Sequence, residues 1–214
     1  MTDEVRKGRH RIVSDDEILR AAFHAFAAEG YESMSVRALN TTLGLSHETV
    51  RQRFGSKHDL FCASVAHGYA HFMQVLAEER ALLPDAVDDL EELRFSVRSL
   101  LTTSIRFPEF SNLVTHESAS ASERIAYIFE TCFRPSLAFF AEILERLVAQ
   151  DVIYPVSIRD AYFLIDAGGS PFAQVGLSQC FDEMAGPLDR DHQVDRFLDF
   201  VFRGLVKVPP PPLA

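Results

Sequence analysis

No uninterrupted apolar run in the 214 residues reaches the roughly 18 that a membrane-spanning helix needs, so no span is expected. The start, MTDEVRKGRHRIVSDDE, is basic with no apolar stretch behind it, which argues against a secretory leader. Cysteine is scarce. Cys62, Cys132 and Cys180 lie far apart and are odd in number, which argues against a disulfide framework. They suit reduced thiols in a cytoplasm, acting as small buried apolar side chains. Period-2 alternation and Asn-Gly or Asp-Gly turns are missing, so strands are not expected. The chain has no Gly-x-Ser-x-Gly, no glycine-rich phosphate loop and no His-Glu-x-x-His, so neither an enzyme nor a resident cofactor or metal is expected. Internal repeats are absent.

What is present is ordinary globular composition, 47% apolar and 24% charged, with a net charge of −10. The charge is unevenly spread. Residues 1–60 hold nine Lys/Arg and nine Asp/Glu, and against chain totals of 21 and 31 this leaves 12 basic and 22 acidic residues in 61–214. An acidic body repels phosphate, so any contact with nucleic acid must be made locally by the N-terminal part. The basic clusters at 6–11 and 51–57 are where it could occur.

Helical signals dominate. Ser14-Asp15-Asp16-Glu17 is a capping box opening a helix whose Ile18, Ala22, Ala25 and Phe26 share one face, with Gly30 as its stop. Ser35 is expected to cap a short helix from Val36 to about Leu43, ended by Gly44. Ser46 is expected to cap a third, ended at Phe54 by Gly55, and Ser56 a fourth, which runs to about Leu83. Leu43-Gly44-Leu45-Ser46 has the length of the turn in a helix-turn-helix. Longer helices are predicted over about 87–104, 108–117, 125–147 with a kink at Pro135, 158–181 interrupted by Gly168-Gly169-Ser170-Pro171, and 191–205. The fold class is therefore all-α. The expected organisation is an N-terminal arm and three short helices with a helix-turn-helix (1–56), a larger helical domain (57–208), and a proline-rich tail (209–214).

In the third helix Val50 and Phe54, four apart, mark the buried side, with Leu45 beside them. Glu48 and Gln52 are then outermost, flanked by Thr49 and Arg51, with His47 and Arg53 at the edges. Such a side either faces water or enters the major groove. Its residue types suit the groove: Gln reads adenine, Arg reads guanine, and the Thr methyl meets that of thymine. Glu48 either accepts from cytosine or braces Arg51 and Gln52. Ser35 and Ser46 at helix N-termini, and Lys57 at the start of the fourth helix, can hold phosphates.

The stretch ILRAAFHAFAAEGYESMSVRALNTTLGLSHETVRQRFGSKHDLF resembles the DNA-binding domain of the TetR family of bacterial transcriptional regulators. The likeness covers about 45 residues and is carried by Phe26 to Tyr31, Ser35-Val36-Arg37, Gly44-Leu45-Ser46, Phe54 to Lys57 and Asp59-Leu60. It implies that Ser35, Arg37, Ser46 and Lys57 hold phosphate, while Glu48, Thr49, Arg51 and Gln52, with His47 at the edge, face the groove. Three positions depart from the family pattern: Arg51 stands where a tyrosine is usual, Asn40 where a small Ala packs, and Met34 where a Thr precedes the second helix.

The remaining chain is read as the regulatory part. The stripe Val194, Phe197, Leu198, Val201, Phe202 and Leu205 either forms a dimer interface or covers the subunit's own core. The resemblance implies homodimerisation through the last two helices, as needed to bind a near-palindromic operator in double-stranded DNA. A pocket for an apolar or aromatic effector is expected among the middle helices, with His67, His71, Leu101, His116, Phe129, Phe133 and Asp166 as candidate lining. His67 and His71 have the spacing of a metal pair, but no third ligand follows, so no metal is expected. The expected function is that of a ligand-responsive repressor. The competing reading is a helical protein–protein module without operator binding.

Overall fold

Ser14 accepts from the Glu17 N–H and Glu17 returns a bond to the Ser14 N–H, so the capping box is closed and opens α1 (Asp15–Ser33). The structure, a computed structural model, describes residues 13–207. The basic cluster at 6–11 and the tail at 209–214 lie outside the described residues. Gly30 has φ 75°, a left-handed value that breaks the helix there, yet one more turn follows before Met34. Ser35 caps α2 (Val36–Thr42) by accepting from Ala38, and Gly44 turns the chain with φ 67°. After α3 (Thr49–Phe54) and Gly55, a second capping box joins Ser56 and Asp59 and starts α4 (Lys57–Ala81).

Asp88 caps α5 (Asp89–Arg106), and a proline in the first turn opens α6 (Pro108–Ser118). The predicted kink at Pro135 takes a specific form. Between α7 (Glu123–Ile128) and α8 (Arg134–Ala149) the chain widens into a π turn at Phe129–Phe133, with Arg134 N–H bonded back to Phe129 O. Proline has no N–H to give and its ring crowds the carbonyl four residues earlier, so the wider turn just ahead absorbs the misfit. The interruption expected at Gly168–Pro171 falls later. Helix α9 (Ile158–Ala173) runs through all four residues and breaks at Gln174, followed by the short α10 (Val175–Gln179) and α11 (Asp182–Ala185), then α12 (Arg190–Leu205). Among the described residues the only extended pairing is an antiparallel bridge, Ile153 to Val206.

Two apolar clusters hold the helices. In the first, Ile18, Phe23 and Phe26 of α1 pack with Phe61 and Val65 of α4, and the same cluster reaches Leu113 of α6. Packing is therefore continuous across residues 56/57. Gly68 allows the close approach of α4 to α1, since a Cβ there would stand 2.4 Å from the Phe23 ring. The second cluster joins α5, α8, α9 and α12.

The stripe on α12 resolves in favour of the subunit's own core. Val194, Leu198, Val201 and Phe202 are buried in the second cluster, and Phe197 lies against Gly168 of α9, where a Cβ would stand 2.3 Å from its ring. Ion pairs Arg94–Asp199 and Arg98–Asp195 pin this face of α12 to α5. The exposed aromatic side is a different one, with Phe163 of α9 at 62% and Phe200 of α12 at 77%. Cysteine burial also differs from expectation: Cys132 is buried and its thiol pushed up to about 12 by that burial, Cys62 is half-buried and Cys180 exposed. Among the described residues no helix is long and apolar enough to cross a membrane.

Candidate nucleic-acid interface

Val50 is 1% exposed and Phe54 packs on the first cluster, so the rotation of α3 is the one its four-residue spacing implies. Ser46, His47, Glu48, Arg51 and Gln52 are exposed and Thr49 is half-exposed. Ser35 and Arg37 are exposed on α2, and Lys57 is partly exposed at the start of α4.

The N-terminus of α3 is built differently from the expectation. The helix begins at Thr49, not just after Ser46, and no side chain of its own segment caps it. Ser46 shares a 2.7 Å hydroxyl bond with Thr49 Oγ1. The capping comes from the preceding helix. Asn40, fully buried, accepts from Val50 N–H at 3.3 Å and donates through Nδ2 to Val36 O at 3.0 Å and His47 O at 3.1 Å. One amide thus satisfies a free helix-start donor on α3 and ties the turn to α2, which a small alanine could not do. Replacing it leaves buried N–H and C=O groups unpaired, at about 1–3 kcal/mol each. Asn40→Ala should therefore destabilise the protein by about 2 kcal/mol in urea unfolding, and Asn40→Asp should not restore it, because a carboxylate lacks both donors. Loss below about 0.5 kcal/mol would mean that this clamp carries little of the fold's stability.

Arg53, an edge residue by sequence, donates through Nη1 to Val13 O at 2.8 Å and to Asp15 Oδ1 at 3.2 Å. It ties the end of α3 to the start of α1. Lys57 Nζ donates to Glu32 O at 3.3 Å and lies 4.6 Å from the Tyr31 ring centroid. A hollow of about 280 Å³ between α2, α3 and α4 is lined by Val36, Val50, Arg51, Gly55, Ser56, Lys57 and Leu60. Two cations, Arg51 and Lys57, thus border one concavity beside the exposed side of α3.

The candidate effector residues do not form one group. His67 Nε2 lies 3.6 Å from Asp16 Oδ1 at the start of α1, while the His116 ring sits over Gly30 near its end. Fourteen residues of helix separate those contacts, about 21 Å. His71 is exposed and stands edge-on to Phe107, with ring centroids 5.0 Å apart. Leu101 is buried in the second cluster. What does come together is aromatic: Phe133 meets Phe110 at 6.2 Å, Phe129 at 6.5 Å and Tyr162 at 5.6 Å, with Asp166 one turn beyond Tyr162. Burial, with Asp166 adding to it, pushes the Tyr162 hydroxyl up to about 12.

Sequence reasoning passed over Tyr162, although its spacing from Asp166 was a usable signal. It also passed over the hydroxyls of Ser99 and Thr103, which are buried on α5 without a hydrogen-bond partner. Among the described residues no three His, Cys, Asp or Glu are grouped to hold a metal ion.

A family model for bacterial regulatory proteins, tetR family, matches residues 18–63. The chain is similar to the HTH-type transcriptional repressor NicS of Pseudomonas putida, 32% identical over 103 residues, which are 48% of this chain and 47% of the relative. It is also similar to the repressor AcnR of Corynebacterium diphtheriae, 39% identical over 62 residues, 29% of this chain and 33% of the relative. The matched part thus spans about half the length of the first relative and a third of the second. Among solved structures, the fatty acid degradation regulator FadR from Bacillus halodurans superposes with a TM-score of 0.66 over 90% of this chain and 100% of that one. At 17% identity that likeness concerns the fold alone.

Proposed function

We propose that the chain, whose residues 18–63 match the family model for bacterial regulatory proteins, tetR family, is an operator-binding transcriptional repressor controlled by a small molecule. The observation that carries the reading is the exposed side of α3, oriented by buried Val50 and bordered by a hollow that Arg51 and Lys57 share. In this reading residues 1–56 serve DNA and residues 57–208 serve effector and partner subunit. Gln52, Thr49 and Glu48 meet base edges in the major groove, with His47 beside them. Ser35, Arg37, Ser46 and Lys57 hold phosphates. Arg51, sharing a hollow with Lys57, takes a phosphate. The repressor names of the NicS and AcnR relatives support the sign of regulation.

Two copies are needed to read two half-sites about 34–36 Å apart. The outward faces of α9 and α12, with Phe163 and Phe200 uncovered, support a homodimer there. The aromatic group around Phe133, Phe129 and Tyr162 supports an apolar or aromatic effector among the middle helices. Because α1 packs on both α4 and α6, an effector that shifts either moves the reading head. Changing operator affinity 100-fold takes a coupling of about 2.7 kcal/mol.

Sequencing genomic fragments captured by the purified protein tests the reading, with sedimentation at micromolar concentration run alongside. The expected outcome is one enriched near-palindromic site, bound by a dimer with affinity that falls steeply as salt rises. No enriched sequence, or binding indifferent to salt, would leave the protein–protein module as the surviving alternative.

A further inference from the structure

One ion pair far from α3 in sequence meets Lys57, just past the end of α3, at a shared aromatic ring. Glu117, at the end of α6 and 5% exposed, accepts from Arg124 Nε at 2.7 Å. The same guanidinium lies 3.4 Å from Glu32 Oε1 and 4.0 Å from the centroid of the Tyr31 ring. Tyr31 is itself held in the joint of α1 and α4, stacked on Phe26 and edge-on to Phe61. Lys57 uses the same two residues, the Tyr31 ring at 4.6 Å and the Glu32 carbonyl at 3.3 Å. Two cations more than sixty residues apart therefore converge on one Tyr-Glu pair.

Their roles there differ. Arg124 has two carboxylates to satisfy it, one of them buried, so it is committed to the protein. Lys57 spends one N–H on a backbone carbonyl and keeps two for another acceptor. The Glu32 carboxylate is the variable between them: it is largely exposed, with Arg124 near it, and it belongs to the residue whose carbonyl holds Lys57. Were Arg124 withdrawn, that carboxylate would become a competing partner for the Lys57 ammonium.

We propose that Arg124 is a positioning residue for DNA binding: by occupying Glu32 and Tyr31 it keeps the Lys57 ammonium available to phosphate, and so links the α6–α7 connection to the operator grip. This rests on the DNA-binding reading above and on the phosphate role of Lys57. A rearrangement of α6 and α7 that removed Arg124 would hand Lys57 to Glu32 and cancel one positive charge per protomer at the DNA surface.

The test is the salt dependence of binding to the fragment captured by the wild-type protein. Removing Arg124 alone strands a buried carboxylate and risks unfolding, so the variant to use is Arg124→Gln with Glu117→Gln, checked for an unchanged helical spectrum. Lys57→Ala should lower the slope of log K against log salt by about 0.9 per protomer. The Arg124/Glu117 variant should lower it by a similar amount, so that its affinity loss between 50 and 200 mM salt shrinks about 3.5-fold per protomer. Adding Glu32→Gln to that variant should restore the wild-type slope, a rescue that a purely structural role for Arg124 does not produce. A wild-type slope in the Arg124/Glu117 variant, with the slope lowered by Lys57→Ala, overturns the proposal alone. An unchanged slope in Lys57→Ala removes its premise, and no salt-dependent binding by the wild type removes the DNA-binding reading as well.

Discussion

Phe61→Ala should lower the midpoint of thermal unfolding by roughly 10 °C and, on the proposed DNA-binding function, abolish operator binding at temperatures where the wild-type fold persists. Phe61 is 0% exposed and stands edge-on to two rings, Phe26 at 5.1 Å and Tyr31 at 5.4 Å. Truncating a buried phenylalanine costs about 3–5 kcal/mol, from lost burial and from the cavity left behind. In a chain of this size each kcal/mol moves the midpoint by about 2–4 °C. The position matters as much as the magnitude, because these three rings lie in the joint of α1 and α4, one route by which a movement of α4 reaches the first helices. Phe61→Leu, which keeps most of the volume, should lose far less. A midpoint within about 2 °C of wild type for the alanine variant would show that the joint collapses around the gap and carries little.

The second large effect is on recognition. If Gln52 reads adenine as proposed, Gln52→Ala should cost about 1–3 kcal/mol and relax sequence preference at one base pair of each half-site while leaving the salt slope alone. Arg51→Ala should do the reverse, lowering the slope by about 0.9 per protomer with little change in preference, because it shares its hollow with Lys57. Together, acting in both halves of a dimer, the two substitutions should weaken binding by at least about 100-fold, or about 2.7 kcal/mol. Competition titrations against mutated half-sites separate the two effects. Undiminished binding by the double variant would remove α3 from the interface. A loss of base preference in Arg51→Ala would move that residue from the phosphate to the groove.

Most of the local architecture was legible from residues close in sequence. The Ser14 capping box, the Ser35 and Ser56 caps and the stops at Gly44 and Gly55 stand where expected, since each rests on contacts within three or four residues. The rotation of α3 was legible for the same reason, two apolar residues one turn apart. The start of α3 was not. Ser46 is a good cap residue, but Asn40 reaches across from α2 and satisfies the donor at Val50 instead. The stripe on α12 shows the complementary difficulty. Periodicity identifies an apolar face, whereas whether that face meets its own subunit or another copy depends on which helix lies opposite; here α5 does.

By itself, then, the sequence determined the helical class, most of the boundaries, the turn between α2 and α3 and the polar side that α3 turns outward. Short-range hydrogen bonds and helical geometry decide those, and both are written into neighbouring residues. The tertiary structure alone decided the partners of Asn40, Arg53 and Arg124, which lie 10, 40 and 92 residues away at Val50, Val13 and Glu32. A side chain's hydrogen-bonding capacity is a property of its type, but its partner is set by which helices pack together, and no periodicity records that.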